Sequence, residues 1–367
     1  MEQLWLTLML ALSVILGLSS GDSNADRHRT IHVKAGQKIQ KAIDTASAGS
    51  EIVVHAGTYR EQLLIKKDGI SLSGKEGAVL APPDSFVRNV CSGVAGPGTQ
   101  AGICVAGSGI KMDPFVTEHR KVVFVQRAVE GVSVSGFQVE GFSGANILVL
   151  GADHTRIAGN TLIDGPIYGL LSSGSRFTTM GENTISSSDP AAPGIIASCM
   201  DNFEGAYGAG NDIRFYVIGL CIQTNGAVLR DNDVSYTCRA AYADPYVEGI
   251  RLTSNHFGPS YDACKAFASY GVTLAGTINA LVEGNTIEQT RNNGPAAGVW
   301  VTDDPCTEPS LACLANPGAT AVSKGNKVVG NKLFDNDLDL WNNSTGSGNV
   351  FKKNKCSTSI PKGLCRR

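Results

Sequence analysis

An asparagine in a fixed context returns eight times along this chain, and few folds can use such a repeat. The context is an apolar residue, two intervening residues, the asparagine, and in most cases another apolar residue two positions on. It occurs at Asn160 (IAGNTL), Asn183 (MGENTI), Asn211 (GAGNDI), Asn232 (LRDNDV), Asn255 (LTSNHF), Asn285 (VEGNTI), Asn331 (VVGNKL) and Asn354 (FKKNKC). The steps are 23, 28, 21, 23, 30, 46 and 23 residues, and the one long step contains the Cys306 to Cys313 segment. A second marker keeps phase with the first. A small or polar residue opens a short alternating strand before most of these asparagines, at Asn146, Gly169, Gly194, Gly219, Ala240, Gly271, Gly298 and Asp337. Two markers in step at this period describe one coil of a solenoid.

The strands alternate with period two, so each has a buried and an outward face. No helical spacing lies inside the coil, which excludes helical repeats and disfavours a leucine-rich repeat. The reading is all-β, a right-handed parallel β-helix. Stacked coils would bring the asparagines into register, where their amides satisfy the backbone of a tight turn.

A solenoid must cover its open end. Residues 31–61 place Ile39, Ala42, Ile43 and Ala46 on one face of a short helix, ahead of a strand from Ile52 to His55. This segment, with the asparagine coils, resembles the N-terminal cap and rungs of the pectin-lyase-like β-helix superfamily. NVCSGVAGPGTQAGIC and the closing IPKGLC also resemble secreted fungal β-helix proteins. The resemblance carries little of a mechanism. Polygalacturonase-like relatives would show N-T-D, D-D, G-H-G and R-I-K elements, and only Asp303-Asp304 matches. A mannuronan epimerase would show D-P-H-D, from which ADPYVEG around Asp244 departs at the histidine. The calcium-binding acidic cluster of pectate lyases is not recognisable.

Leu4 to Leu18 is almost wholly apolar, the length of a secretory h-region, and small residues follow it. Residues 1–25 are expected to be a signal peptide cleaved near 20–25, and 26–367 a single β-helix domain with loop insertions at about 82–128 and 303–327. The segment is too short for a membrane span, so a secreted, extracellular protein without membrane association is expected. Thirty-one basic residues against 33 acidic ones exclude the basic field that nucleic acid binding needs. A monomer is expected.

Ten cysteines in a secreted chain read as disulfides. Pairing of near neighbours gives Cys91–Cys104, Cys199–Cys221, Cys238–Cys264, Cys306–Cys313 and Cys356–Cys365. No C-x-x-C pair suggests zinc, and the six histidines, His119 among them, show no metal spacing and read as structural. Overlapping sequons at Asn342 and Asn343 offer an N-glycan.

The outward face is read as the second and fourth residues after each strand opener. This gives Leu148 and Leu150, Leu171 and Ser173, Ile196 and Ser198, Cys221 and Gln223, Tyr242 and Asp244, Thr273 and Ala275, Trp300 and Thr302, and Asp339 and Trp341. The face begins apolar and becomes aromatic and acidic. Aromatic rings stack on sugars, and paired carboxylates work on glycosidic bonds. Asp244, Asp303 and Asp304 are therefore the catalytic candidates, with Tyr242, Trp300, Trp341, Gln223 and Asp339 as substrate-binding candidates. Asp244 and Asp303 lie two coils apart, on the order of 9–10 Å, near the upper end of the spacing of inverting glycosidases. In this reading the neighbouring carboxylate raises the pKa of Asp303 or Asp304. Three functions fit: an inverting-type hydrolase of a polysaccharide; a polysaccharide lyase or uronate epimerase, for which calcium and an arginine such as Arg239, Arg251 or Arg291 would serve; or a non-catalytic protein that binds cell-wall glycan. No other cofactor is implied.

Overall fold

The computed structural model describes residues 29–266, 268–307 and 310–365. The expected leader lies outside them. Nearly every element is a short strand, and the strands stack into three parallel ladders. The first runs from Thr30–Val33 through Glu51–Val54, Ser71–Gly74 and Ser133–Ser135 to Val350–Lys352. The second includes Gln138–Glu140 and Thr161–Ile163, and the third includes Ala145–Leu150 and Tyr168–Ser173. Asp212–Ile222 and Asp233–Ala243 are long enough to run through both second and third ladders. Each coil visits the ladders in that order, so the chain is a parallel β-helix.

Inward residues form columns along the axis. One column of the first ladder reads Ile52, Leu72, Val134, Ile157 and Met180, each beside the next. In the third, Ile103, Ile147, Leu170, Ser198, Leu220, Ala241, Val272, Val299 and Leu340 follow one another. Nearly all are fully buried aliphatic side chains, and at about 25 cal/mol per Å² of apolar surface this column supplies much of the fold's cohesion.

The asparagines occupy the corner between first and second ladders and form one unbroken column. Asn160 donates from both its backbone N–H and its Nδ2 to Asn183 Oδ1, and the double bond repeats through Asn211, Asn232, Asn255, Asn285, Asn331 and Asn354 at 2.8–3.1 Å. Each Nδ2 also reaches a strand carbonyl, as Asn232 reaches Gly208. The residue before every asparagine has positive φ: Gly159, Glu182, Gly210, Asp231, Ser254, Gly284, Gly330 and Lys353. This left-handed residue lets the backbone turn the corner in two residues, which explains why glycine fills half of these positions.

The N-terminal cap is the helix Ile39–Thr45, with Ile39, Ala42 and Ile43 buried on the first coil. Lys38 at its N-cap makes no side-chain bond; instead Glu61 of the next coil accepts the Ile39 N–H at 2.9 Å and the Gln40 N–H at 3.3 Å. Lys67 donates to the carbonyls of Ile43, Asp44 and Ala46 at the other end. The orphan groups at both helix ends are thus satisfied by the following coil.

All five expected disulfides are formed. Segment 82–128 is not wholly an insertion: Ala101–Ala106 is a rung of the third ladder, with irregular excursions before and after it. The C-terminal excursion closes at Asp304 and Ala321, whose backbones exchange reciprocal hydrogen bonds of 2.9 and 2.8 Å. Among the described residues, no helix is long and apolar enough to cross a membrane.

Candidate functional site

Two outward rows run along the third ladder. The first is Leu148, Leu171, Cys199, Cys221, Tyr242, Thr273, Trp300 and Trp341. The second begins Leu150, Ser173, Asp201 and continues with Gln223 and Asp244, which directly follow the paired residues Ile222 and Ala243. One coil departs from the expected reading. Gly194 pairs with Tyr216, and the strand runs on to Asp201, so Cys199 and Asp201 take the outward positions assigned to Ile196 and Ser198. Ser198 points into the core column instead. The apolar start of the face is no open groove: Cys91, Val94, Ala95 and Val122 pack over Leu148, Leu150 and Leu171.

The excursion after Ala106 sets Glu118, His119 and Lys121 over the second row. His119 is fully buried, with Nδ1 3.1 Å from the Tyr168 hydroxyl and Nε2 3.1 Å from Asp201 Oδ2. Lys121 pairs with the other oxygen of Asp201, and Ser173 donates to Oδ2 at 3.3 Å. Burial pushes the Asp201 carboxyl up, but the hydrogen bonds and charges of His119 and Lys121 outweigh it and hold the group below the ordinary aspartate range. Burial pushes the Tyr168 phenol well up, so it stays a neutral donor or acceptor.

One coil on, Gln223 Nε2 donates both to Glu118 Oε2 at 2.5 Å and to Asp244 Oδ2 at 2.8 Å. One amide nitrogen therefore bridges two carboxyl groups. Asp244 is 2 % exposed; burial first, then the charge of Glu118, push its carboxyl well above the ordinary range, against the smaller opposing effect of the Gln223 bond. Glu118 itself sits at φ 52°, a left-handed conformation costly for a residue with a side chain and frequent at functional sites. The Leu311 N–H, at the start of helix Leu311–Leu314, donates to Glu118 Oε1 at 3.4 Å. A cavity of about 180 Å³ reaches Asp244 and Gln223 from the side of Tyr246, with Lys121, Leu311 and Asn316 in its wall.

The other candidates are placed differently. Asp303 accepts from the Ser344 and Thr345 hydroxyls and from the Thr345 and Ser323 N–H groups. Burial is the largest single influence and raises its pKa, but the four donors together outweigh it and leave the group lowered, the reverse of the expected upward shift. Asp304 Oδ1 accepts the Cys306 N–H at 2.7 Å and caps the turn into the disulfide loop. Asp339 is buried, with Asn336 on one oxygen and the Ser357 and Thr358 N–H groups on the other, so it ties down the last coil rather than facing a groove. Tyr242 lies beneath the Arg239 guanidinium, 5.0 Å from its ring centroid. Tyr270, Trp300 and Trp341 stack along the axis with centroids 4.4 and 5.3 Å apart, so their faces cover one another and edges point outward. Asn343 accepts from Trp300 Nε1 at 2.9 Å, and Asn342 Oδ1 is buried without a partner. Among the described residues the one cluster with suitable donor spacing is Asp304, Cys306 and Cys313, and its sulfurs form a disulfide.

Sequence reasoning missed Glu118, Lys121, Asp201 and Tyr168 and took His119 as structural. The dense charged run Glu118 to Lys121 inside an otherwise bland excursion was the available signal.

No protein-family model matches the sequence, and no curated protein matches it either. Solved structures do. A double mutant of the periplasmic alginate epimerase AlgG aligns with TM-score 0.55 at 10 % identity, covering 88 % of this chain and 83 % of that one. The Dettilon tailspike protein gives TM-score 0.54 at 12 % identity over 87 % of this chain, which spans 62 % of the tailspike. DFA-IIIase from Arthrobacter chlorophenolicus A6 in complex with GF2 gives 0.50 at 10 % identity, with 89 % and 94 % covered. The fold shared with these structures is the right-handed parallel β-helix.

Proposed function

We propose that this chain is an extracellular carbohydrate-active enzyme that cleaves a glycosidic bond, with Asp244 as general acid and Glu118 as its partner carboxylate. The observation that carries the reading is the Gln223 amide, which donates both to Glu118 and to a buried Asp244 that lines a cavity together with Gln223. A buried carboxyl group whose acidity is weakened, set beside a second carboxyl group, is what acid-base cleavage of an acetal requires. Both oxygens bond to one nitrogen, so they lie no farther apart than two hydrogen bonds end to end. That suits the separation of about 5–5.5 Å used for retention better than the ~6.5–9.5 Å that inversion needs for a water. Asp244 gives its proton to the leaving oxygen as the bond to the anomeric carbon breaks. Glu118 attacks that carbon, and water then releases the sugar while Asp244 takes the proton back. Five disulfides support an oxidising, extracellular setting.

Lys121, partly exposed in the cavity wall, favours a second reading. An ammonium beside the acid would hold a uronate carboxylate, as a lyase or epimerase requires. The test is turnover on uronan, glucan and fructan oligosaccharides by the wild type, Asp244→Asn and Glu118→Gln. Each substitution is expected to lower turnover at least about a hundredfold. New reducing ends indicate hydrolysis, whereas unsaturated ends absorbing in the ultraviolet indicate elimination. Binding without turnover by the wild type would make the protein a glycan-binding module.

A further inference from the structure

The two excursions from the solenoid meet above the third ladder. Segment 107–128 lays Glu118, His119 and Lys121 over the second outward row, and helix Leu311–Leu314 arrives from the opposite end of the sequence to meet Glu118. The Tyr246 hydroxyl donates to the Ala319 carbonyl at 2.8 Å, pinning the returning leg of the second excursion to the turn after Asp244. The Cys306–Cys313 disulfide ties the outgoing leg. This roof crosses the face at the coils of Gln223 and Asp244. Toward the N-terminus the face is filled as well, because Leu148, Leu150 and Leu171 are no more than 1 % exposed.

A polysaccharide cleaved in its interior must lie along an open face, with sugar units on both sides of the acid. Here the opening to Asp244 is a cavity of about 180 Å³. That is well below the ~300–1,000 Å³ of pockets that bury drug-sized ligands. Its wall carries a charge and polar groups suited to a single hydrated ring: Lys121, Gln223, Asp244 and Asn316, with the Leu311 side of the helix above.

We infer that the site takes the end of a glycan chain or a short oligosaccharide, one terminal sugar unit entering the cavity, and does not accept the interior of a polymer. This rests on the glycan-cleaving reading above and adds to it the class of substrate.

The experiment uses linear oligosaccharides tagged at the reducing end, drawn from galacturonan, mannuronan, β-glucan and fructan, and cyclic glucans and fructans, which have no end. The wild type is expected to shorten a tagged chain one unit at a time and to leave the cyclic compounds intact. Mixed product lengths from the first time point, or opening of a ring, would overturn the inference while leaving the glycan-cleaving reading standing. A second protein replaces residues 305–320 by Asn-Gly, using the reciprocal Asp304 and Ala321 hydrogen bonds as the base of a hairpin. If it melts like the wild type, it is expected to gain interior cleavage; a well-folded variant that still trims ends only counts against the roof as the cause. Failure of the wild type on every compound would remove the glycan-cleaving reading. Saturation-transfer NMR then decides the size question by itself: short linear sugars are expected to bind and cyclic ones not, and equal binding of both overturns the inference.

Discussion

The asparagine corner and the outward face of the third ladder are products of the same repeat, and they use it in opposite ways. At the corner, Asn160 to Asn354 keep one residue type, one left-handed neighbour and one bonding pattern, so each amide satisfies the next. On the face, the second outward row changes at every coil: Ser173, Asp201, Gln223, Asp244, then Ala275 and Thr302. The corner column closes all its hydrogen bonds internally, while the face leaves Gln223 Oε1 buried without a partner. Repetition maintains the geometry of a solenoid; its interruption along one row is where polar groups accumulate that the fold alone does not need. Within that row the two aspartates also differ: His119 and Lys121 hold the pKa of one below the ordinary range, while burial and Glu118 push that of the other above it.

The largest effect should come from the member with the lowered pKa. Asp201→Ala leaves the fully buried His119 and Ser173 without their acceptor and takes away the partner of the part-exposed Lys121, and unfolding in urea should show a loss of about 1–3 kcal/mol for each buried group left unpaired. If Asp201→Ala unfolds with the wild type, the face depends on its charges no more than the corner does.

The two aspartates should also respond to pH with opposite signs. Asp201, with a lowered pKa, contributes stability that is present above the ordinary aspartate value of 3.8 and is lost as pH falls through its depressed value. Asp244, with a raised pKa, contributes stability that is present below 3.8 and is lost as pH rises through its elevated value. Melting temperatures measured across pH 3–8 should therefore show Asp244→Asn gaining on the wild type as pH rises. Parallel curves would mean that the pKa of Asp244 is not raised.

At the corner, Asn232→Ala removes the acceptor of Asn211 and leaves its backbone N–H buried and unpaired, at a cost of about 1–3 kcal/mol. Asn285→Ala should cost the same, since the column is uniform. Unequal losses would show that the corner is not the regular device its geometry describes. The smallest effect is a gain. Lys353 holds a left-handed conformation that glycine fills in four equivalent turns, so Lys353→Gly should raise stability by about 0.5–1 kcal/mol.

The contrast between repeated and varied positions also decided what could be read from the sequence. The coil period and the cap helix over Ile39 and Ile43 were legible because stacking forces neighbouring coils to share markers, and the five disulfides followed from pairing each cysteine with its near neighbour. Tyr242, Gln223 and Asp244 fell correctly on the outward face for the same reason. Asp201 was lost because its strand begins early at Gly194, which shifts the phase of that one coil. Glu118, His119 and Lys121 lie on an irregular excursion with no period, so nothing local says which coil they cover. Asp303 and Asp304 read as a catalytic pair, and their partners in the structure, hydroxyl and amide donors from Ser344, Thr345 and Cys306, could not be seen from spacing along the chain. Trp300 and Trp341 looked like a sugar platform, and adjacent-coil spacing instead stacks them on each other.

That column of rings gives the molecule a built-in optical gauge. The chain has three tryptophans, and Trp5 lies in the segment expected to be removed as a leader, so the mature protein would emit from Trp300 and Trp341 alone. Two indoles 5.3 Å apart and nearly parallel couple their excited states, which produces a paired near-ultraviolet dichroism band that a separated pair lacks. Loss of this band would therefore report the parting of the last coils specifically, and could be followed apart from whatever happens at the N-terminal cap.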